Sequence, residues 1–197
     1  MEASLRRVVW IVALLNLAYF GVEFGVALLI HSVSLFADSV DFLEDASVNL
    51  LIAVALGWSA VSRARLGMLL AAVLLAPGIA TLWTAIGKIH APIAPAPRPL
   101  SLTALGALAV NFLCAALLAR YRHQGGSLTR AAFLSARNDV LVNVAILAVA
   151  GITVYVRSFW PDLIVGLGIV ALNLDAAREV WQAAHNEHAA AMDNSGN

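Results

Sequence analysis

The amino-acid sequence predicts an all-α membrane protein, a bundle of six transmembrane helices with both termini on the cytoplasmic side. Two observations favour this fold class over a soluble one. Of the 197 residues, 61% are hydrophobic and 12% are charged, whereas about 25% of residues are charged in an ordinary soluble domain. The hydrophobic residues also form long runs, each near the roughly 20 residues that a helix needs to cross a bilayer.

Six segments have the length and apolar composition of membrane-spanning helices. In chain order they cover residues 8–30, 35–60, 66–89, 100–118, 129–154 and 161–181. The connections between them are short and contain most of the turn-forming and basic residues. We therefore expect one transmembrane domain over residues 1–183, followed by a short polar cytoplasmic tail over residues 184–197.

The first span is longer than the roughly 7–15 apolar residues of a signal peptide, and no small-residue cleavage site follows it. We therefore expect it to remain in the mature protein. Pro77 and Gly78 interrupt the third span and predict a kink there, with neighbouring helices satisfying the freed backbone groups. Trp58, Trp83 and Trp160 lie near predicted helix ends, where indole rings commonly anchor membrane proteins at the interface.

The distribution of Lys and Arg predicts the orientation, because short cytoplasmic loops are enriched in these residues. With the N-terminus inside, the inner segments contain seven of them: Arg6, Arg7, Arg63, Arg65, Arg120, Arg122 and Arg130. The outer loops then contain three: Lys88, Arg98 and Arg157. This asymmetry predicts a multi-pass membrane protein with both termini inside. The net charge is zero and no basic run is present, so nucleic acid is not an expected partner.

The second span carries an unusual set of acidic side chains. They are Asp38, Asp41, Glu44 and Asp45. The neighbouring first span adds Glu23, and no Lys or Arg occurs between residues 8 and 62 to neutralise these groups. Ionisable residues inside a membrane span are costly, and they commonly mark an ion pathway or a binding site.

Four oxygen-bearing side chains of the second span share one helical face: Asp38, Asp41, Asp45 and Asn49. At about 100° per residue they fall within roughly 80° of one another, and Glu44 lies roughly 60° beyond them. Carboxylates this close together, away from water, take up protons unless a cation lies among them. The alternative is that this row faces a water-filled vestibule or pairs with Arg from another helix.

The fifth span offers the strongest partner for this row. Asp139 has Asn143 one turn after it and Ser135 one turn before it, so the three side chains share a face. The first span adds Asn16 and Glu23, seven residues apart and also on one face. Hydrogen bonding between helices would explain Asn16, whereas the role of Glu23 stays open at this point.

These residues resemble a signature of the cation diffusion facilitator family of metal transporters. The stretch "GVEFGVALLIHSVSLFADSVDFLEDAS" is similar to the family's segment from the first to the second span. Glu23 occupies the acidic position of the first helix. Ser32, Leu35 and Asp38 match the Ser-x-x-Leu-x-x-Asp segment that follows it.

The resemblance extends to the metal-binding motifs of both halves of the family's transmembrane domain. Asp41 and Asp45 match the [His/Asp/Asn]-x-x-x-Asp pair of the second helix. The stretch "RNDVLVNVAIL" is similar to the fifth-helix segment, with Asp139 at the metal-binding aspartate and Asn143 at the polar position after it. The stretch "WPDLIVGLGIVAL" is similar to the opening of the sixth helix.

The resemblance implies a proton-coupled exporter of divalent transition metals, usually a homodimer, with a tetrahedral site between helices two and five. It assigns Asp41, Asp45 and Asp139 as metal ligands. Ser135 departs from the pattern, because relatives place a histidine or aspartate there and a hydroxyl binds zinc poorly. A further ligand or supporting group would come from Asp38, Ser135, Asn143, Glu44 or a water. We expect no C-terminal soluble domain of the kind found in much of the family.

The expected cargo follows from the ligand chemistry and the resemblance together. A site made of oxygen atoms favours manganese or iron(II), while the resemblance keeps zinc, cobalt and cadmium as candidates. The other expected partners are protons, the lipid bilayer and a second copy of the chain, and no resident cofactor or enzymatic activity is expected.

Two other function classes stay open. The first is a degenerate family member that no longer transports and serves as a partner of another membrane protein. The second is an intramembrane transferase that holds a diphosphate through magnesium. Such an enzyme needs glycine and arginine beside its aspartates, and neither Gly, Lys nor Arg occurs between Asp38 and Leu56.

Overall fold

A computed structural model describes residues 2–55, 79–121, 126–172, 174, 178 and 182 of the chain, and its regular elements in these ranges are all helices. They are α1 (Glu2–Ile30), α2 (Val33–Ala55), α3 (described over 79–90), α4 (Pro97–Ala119), α5 (Gly126–Val156) and α6 (Trp160–Leu172). The predicted kink at residues 77–78, Trp58 and the tail at 184–197 lie outside the described residues. The predicted all-α class is confirmed over the part that is described.

Within the described ranges, three helical stretches are long and apolar enough to cross a membrane: Ser4–Ile30, Pro97–Ala119 and Ser135–Val156. The apolar helix α6 is described over a shorter length. Helix α2 is long enough at 23 residues, but its four acidic side chains lower its hydropathy. Length and apolar composition thus predicted the helices themselves.

Local chemistry sets where several helices begin and end. Helix α2 follows α1 after a tight turn, in which His31 adopts a left-handed conformation with φ of 53°. Ser32 then caps the N-terminus of α2, because its Oγ accepts a hydrogen bond from the Leu35 amide at 3.2 Å. Helix α4 begins with proline in its first turn, where the missing N–H group costs no helical hydrogen bond.

The helices pack so that α1 lies along α2 and α4 lies along α5, while α1 also contacts α4 and α2 contacts α5. Two apolar clusters hold this arrangement together. One includes Leu35, Leu100 and Ile146 and lies toward the end of the bundle that contains the turn between α1 and α2, here called the α1–α2 end. The other includes Val9 and Leu118 and lies toward the opposite end.

Many large apolar side chains point away from this interior. Leu29 is 80% exposed, Trp83 is 79% exposed and Tyr155 is 88% exposed. Leu14 and Phe112 are exposed as well, on α1 and α4 respectively. Surfaces of this kind are unfavourable in water and favourable in lipid, so they fit the membrane location that the composition predicts.

Candidate metal centre

Helix α2 lies inside the bundle over its first half. Every residue from Ser32 to Phe42 is buried, whereas Leu43 and Glu44 are half-buried. Asp45 is buried again, with 4% of its surface exposed. The acidic face of α2 is therefore turned toward other helices.

The first group of predicted site residues lies between α2 and α5. Ser135 on α5 donates a hydrogen bond from its Oγ to Asp45 Oδ1 at 2.9 Å. Asp139, one turn further along α5, lies next to Asp45. Asp139 interacts electrostatically with all four acidic side chains of α2: Asp45, Asp41, Asp38 and Glu44. The structure thus brings the three predicted metal ligands to one interface.

The second group lies beside the first and includes Glu23 of α1. Glu23 interacts electrostatically with Asp38, and Asn143 of α5 also lies near Asp38. All three side chains have no exposed surface. Among the described residues, no oxygen atom of Glu23 or Asp38 makes a hydrogen bond of ordinary geometry, and the same holds for Asn143 Oδ1. The geometry therefore places Glu23 with the acidic face of α2.

The buried amides of this region bond to backbone or to neighbouring helices. Asn143 Nδ2 donates to the Asp139 carbonyl oxygen at 2.9 Å, and Asn49 Nδ2 donates to the Asp45 carbonyl oxygen at 2.8 Å. Asn16 of α1 accepts a weak hydrogen bond from the Cys114 thiol of α4, with the sulfur 3.7 Å from Asn16 Oδ1. This contact joins α1 to α4, whereas Asn16 Nδ2 has no hydrogen-bond partner among the described residues.

The described side chains do not form a finished coordination shell. No group of three His, Cys, Asp or Glu residues in the described ranges is close enough to hold a metal ion as it stands. Glu44 lies at the half-buried margin of the acidic region. The structure thus shows predicted ligands facing one another across α2 and α5.

A comparison with protein families shows to which family the chain belongs. A family model described as the cation efflux transmembrane domain matches residues 9–184. The chain belongs to the cation diffusion facilitator family. It is therefore a multi-pass membrane protein of a family that transports metal cations, and the resemblance inferred from the sequence is confirmed. A comparison with curated proteins found no match.

One buried residue of this cation diffusion facilitator, Asp162, was not predicted from the sequence as a functional residue. It lies in the first turn of α6 and has no exposed surface. Its carboxylate accepts hydrogen bonds at 2.6 Å from the Oγ atoms of both Ser32 and Ser34. It also accepts hydrogen bonds from the backbone amides of Val33 at 2.9 Å and Ser34 at 3.2 Å. Lys88 of α3 completes the set, with its Nζ 2.8 Å from Asp162 Oδ2.

Lys88 was predicted only as a basic residue of an outer loop. In the structure it is buried, and its ammonium group also donates to the His31 carbonyl oxygen. The one available signal was that Lys88 and Asp162 lie at ends of predicted spans on the same side of the membrane. That signal was weak, because it gave no reason for either side chain to turn inward.

Proposed function

We propose that this facilitator is a divalent metal cation/proton antiporter that exports metal across the inner cell membrane. The observation that carries the proposal is the placement of the buried Asp139 of α5 opposite the buried Asp41 and Asp45 of α2. Three carboxylates at one helix interface provide the hard oxygen ligands that divalent cations bind.

In the proposal, Asp41, Asp45 and Asp139 bind the cation directly. Ser135 orients one of these ligands, because its hydroxyl donates to Asp45 Oδ1. Asp38, Asn143 or a water molecule would complete the coordination, with Glu44 at the margin of the site. An all-oxygen ligand set favours manganese or iron(II) as cargo, and zinc, cobalt and cadmium follow from the family.

Proton coupling follows from the burial of the same carboxylates. A buried carboxylate without a charged partner is stabilised by binding either a proton or a cation. Glu23 and Asp38 have no hydrogen-bond partner of ordinary geometry among the described residues. An arriving cation would therefore displace protons from the acidic region, and returning protons would release the cation on the other side.

We further propose that the six helices all span the membrane, with both termini inside and the α1–α2 end facing outside. The excess of basic residues in the predicted inner segments supports this orientation. The exposed apolar side chains of α1, α4 and α5 support contact with lipid and with a second copy of the chain in a homodimer.

Metal uptake into proteoliposomes tests the proposal. Purified protein is reconstituted into vesicles, and uptake of zinc and of manganese is measured with and without a pH gradient. We expect uptake that the pH gradient accelerates and that the Asp139→Ala variant lacks. Uptake equal to that of empty vesicles, by wild-type protein that is folded and correctly inserted, would overturn the proposal.

One observation favours a second candidate function. Ser135 occupies the position where relatives place a metal-binding histidine or aspartate, and its hydroxyl is bonded to Asp45. A family member with a weakened site could serve as a partner of another membrane protein without transporting metal. The same uptake experiment separates the two functions, because the partner protein would fold and insert but take up neither metal.

A further inference from the structure

We infer that Asp162 is a positioning residue for the metal site, because its hydrogen bonds hold the beginning of α2 in place. This inference rests on the proposed function, because it concerns how the carboxylates of α2 are aimed at Asp139. The residues involved are here called the α2 anchor, defined as Ser32, Ser34, Lys88 and Asp162.

The α2 anchor satisfies the free amide groups at the beginning of a buried helix. The amides of Val33 and Ser34 donate to Asp162, and the amide of Leu35 donates to Ser32 Oγ. A carboxylate is favourable at this place because the N-terminus of a helix carries partial positive charge. The Lys88 ammonium group balances the remaining charge, so Asp162 forms a fully buried ion pair with its hydrogen bonds made.

The anchor joins three parts of the chain by hydrogen bonds and an ion pair. Asp162 belongs to α6, Lys88 to α3, and the serines to the turn and first residues of α2. Gly166, one turn after Asp162, allows α6 to lie directly against this turn. A Cβ atom at Gly166 would lie 2.7 Å from Val33 Cγ1 and 2.9 Å from the Ser34 amide nitrogen, which leaves room for glycine alone.

The anchor contacts α2 on the helical face that carries the carboxylates of α2. Ser34 is followed by Asp38, Asp41 and Asp45 at intervals of four, seven and eleven residues. At about 100° per residue these four side chains fall within roughly 60° of one another. Ser34 is thus the first polar residue of the acidic face, and its hydroxyl is bonded to Asp162.

A small change in the anchor would therefore move the ligands appreciably. Side-chain atoms lie about 5–6 Å from a helix axis, so rotating α2 by about 20° would shift a carboxylate by about 2 Å. Metal–ligand distances tolerate deviations of only about 0.2 Å. Loss of the anchor should therefore weaken metal binding even though no anchor residue touches the metal.

The test compares metal affinity with folding stability in matched variants. Dissociation constants for zinc and manganese are measured by titration of the purified protein, and thermal unfolding is measured without metal. We expect Asp162→Asn to raise both dissociation constants at least about tenfold, or about 1.4 kcal/mol, at temperatures where the variant is fully folded. Asp162 is absent from the predicted ligand set, so this loss would act through α2.

Ser158→Ala serves as the control, because the Ser158 hydroxyl accepts a hydrogen bond from the Trp160 amide at the start of α6 and forms no hydrogen bond to α2 among the described residues. We expect this variant to lower the unfolding temperature while leaving both dissociation constants unchanged. If Asp162→Asn does not fold, Ser34→Ala replaces it, because this variant removes the contacts of the Ser34 hydroxyl with Asp162 and Ser32 and leaves the ion pair in place. We expect it to raise the dissociation constants about threefold.

Wild-type affinity in a folded Asp162→Asn variant, or in Ser34→Ala where it is the substitute, would overturn the inference and leave the proposed function standing. Wild-type protein that binds neither metal would overturn both. An affinity loss in Ser158→Ala as large as that in Asp162→Asn would also overturn the inference, since it would show that any weakening of α6 disturbs the site.

Discussion

Helix α2 contains two buried polar regions that differ in how their charges are satisfied. In the α2 anchor, the Asp162 carboxylate accepts five hydrogen bonds, one of them from the Lys88 ammonium group. Further along the helix, Asp38 lies beside Glu23, and within the described residues neither carboxylate has a hydrogen-bond partner of ordinary geometry. The side chains of Glu23, Asp38 and Asp162 are equally buried, with no exposed surface.

This difference supports the proposal that the first region has a structural role and the second a binding role. A buried polar group without a partner costs about 1–3 kcal/mol of stability, and more when it is charged. Packing alone gives no reason to keep such groups, because apolar residues of similar volume would be more stable. The α2 anchor is therefore suited to holding α2 in place. The region around Glu23 and Asp38 is suited to binding a cation or protons.

The largest expected effect concerns the cation site itself. Asp45→Ala and Asp139→Ala should each reduce metal transport to the level of empty vesicles, because they remove ligands from the two facing helices. Both variants should still insert and fold, since an apolar side chain avoids the cost of a buried charge. Uptake into proteoliposomes measures transport, and circular dichroism measures folding. Full transport by either variant would show that the cation binds elsewhere.

The same substitution should have opposite effects on stability in the two regions. Asp162→Asn should lower the free energy of unfolding by about 3 kcal/mol, because it leaves Lys88 buried without its counter-charge. Asp38→Asn should raise it by about 1 kcal/mol, because a buried carboxylate beside Glu23 and without a cationic partner among the described residues must either stay charged or bind a proton from the buffer. Unfolding in denaturant without metal, at pH 8, measures both values. A loss of stability in Asp38→Asn would mean that Asp38, like Asp162, stabilises the fold.

A smaller effect is expected where the family pattern is broken. Ser135→His should raise the affinity for zinc relative to manganese about tenfold, or about 1.4 kcal/mol. Residue 135 already faces Asp45, and an imidazole there would add a nitrogen ligand that zinc prefers. Competitive titration of the two metals measures the ratio, with Ser135→Ala as the control that adds no ligand. An unchanged ratio would mean either that residue 135 does not point at the metal or that the metal lies nearer to Asp38.

The smallest effect is expected at the C-terminal tail. Deleting residues 184–197 should leave metal transport nearly intact, because this segment is polar and short and shows no apolar periodicity. Uptake by the truncated protein, normalised to the amount inserted in the vesicles, is the measurement. A well-expressed but inactive truncated protein would assign the tail a function in transport.

Much of this fold could be predicted from apolar length alone. Helices α1, α4 and α5 follow directly from long hydrophobic runs, and the 100° periodicity placed Asp38, Asp41 and Asp45 on one face. The sequence could not show how one helix is rotated against another. The bond between Ser135 and Asp45 and the placement of Glu23 beside Asp38 depend on that rotation.

Asp162 shows the same limit more clearly. Its partners Ser32 and Ser34 are 130 and 128 residues away in the chain, and a helical wheel describes only neighbours within one helix. Pairing across such a distance depends on how α3 and α6 pack against the α1–α2 turn. A single sequence therefore showed the acidic face of α2 but not the residues that hold it.

The single cysteine of the chain offers a native reporter of motion in this bundle. Cys114 has no exposed surface, and its sulfur lies 3.7 Å from Asn16 across the contact between α1 and α4. A thiol-reactive dye can therefore label the protein only when that contact opens. The wild-type chain needs no engineered cysteine for this measurement. Its labelling rate can therefore report how often the helices α1 and α4 separate as the metal concentration is varied.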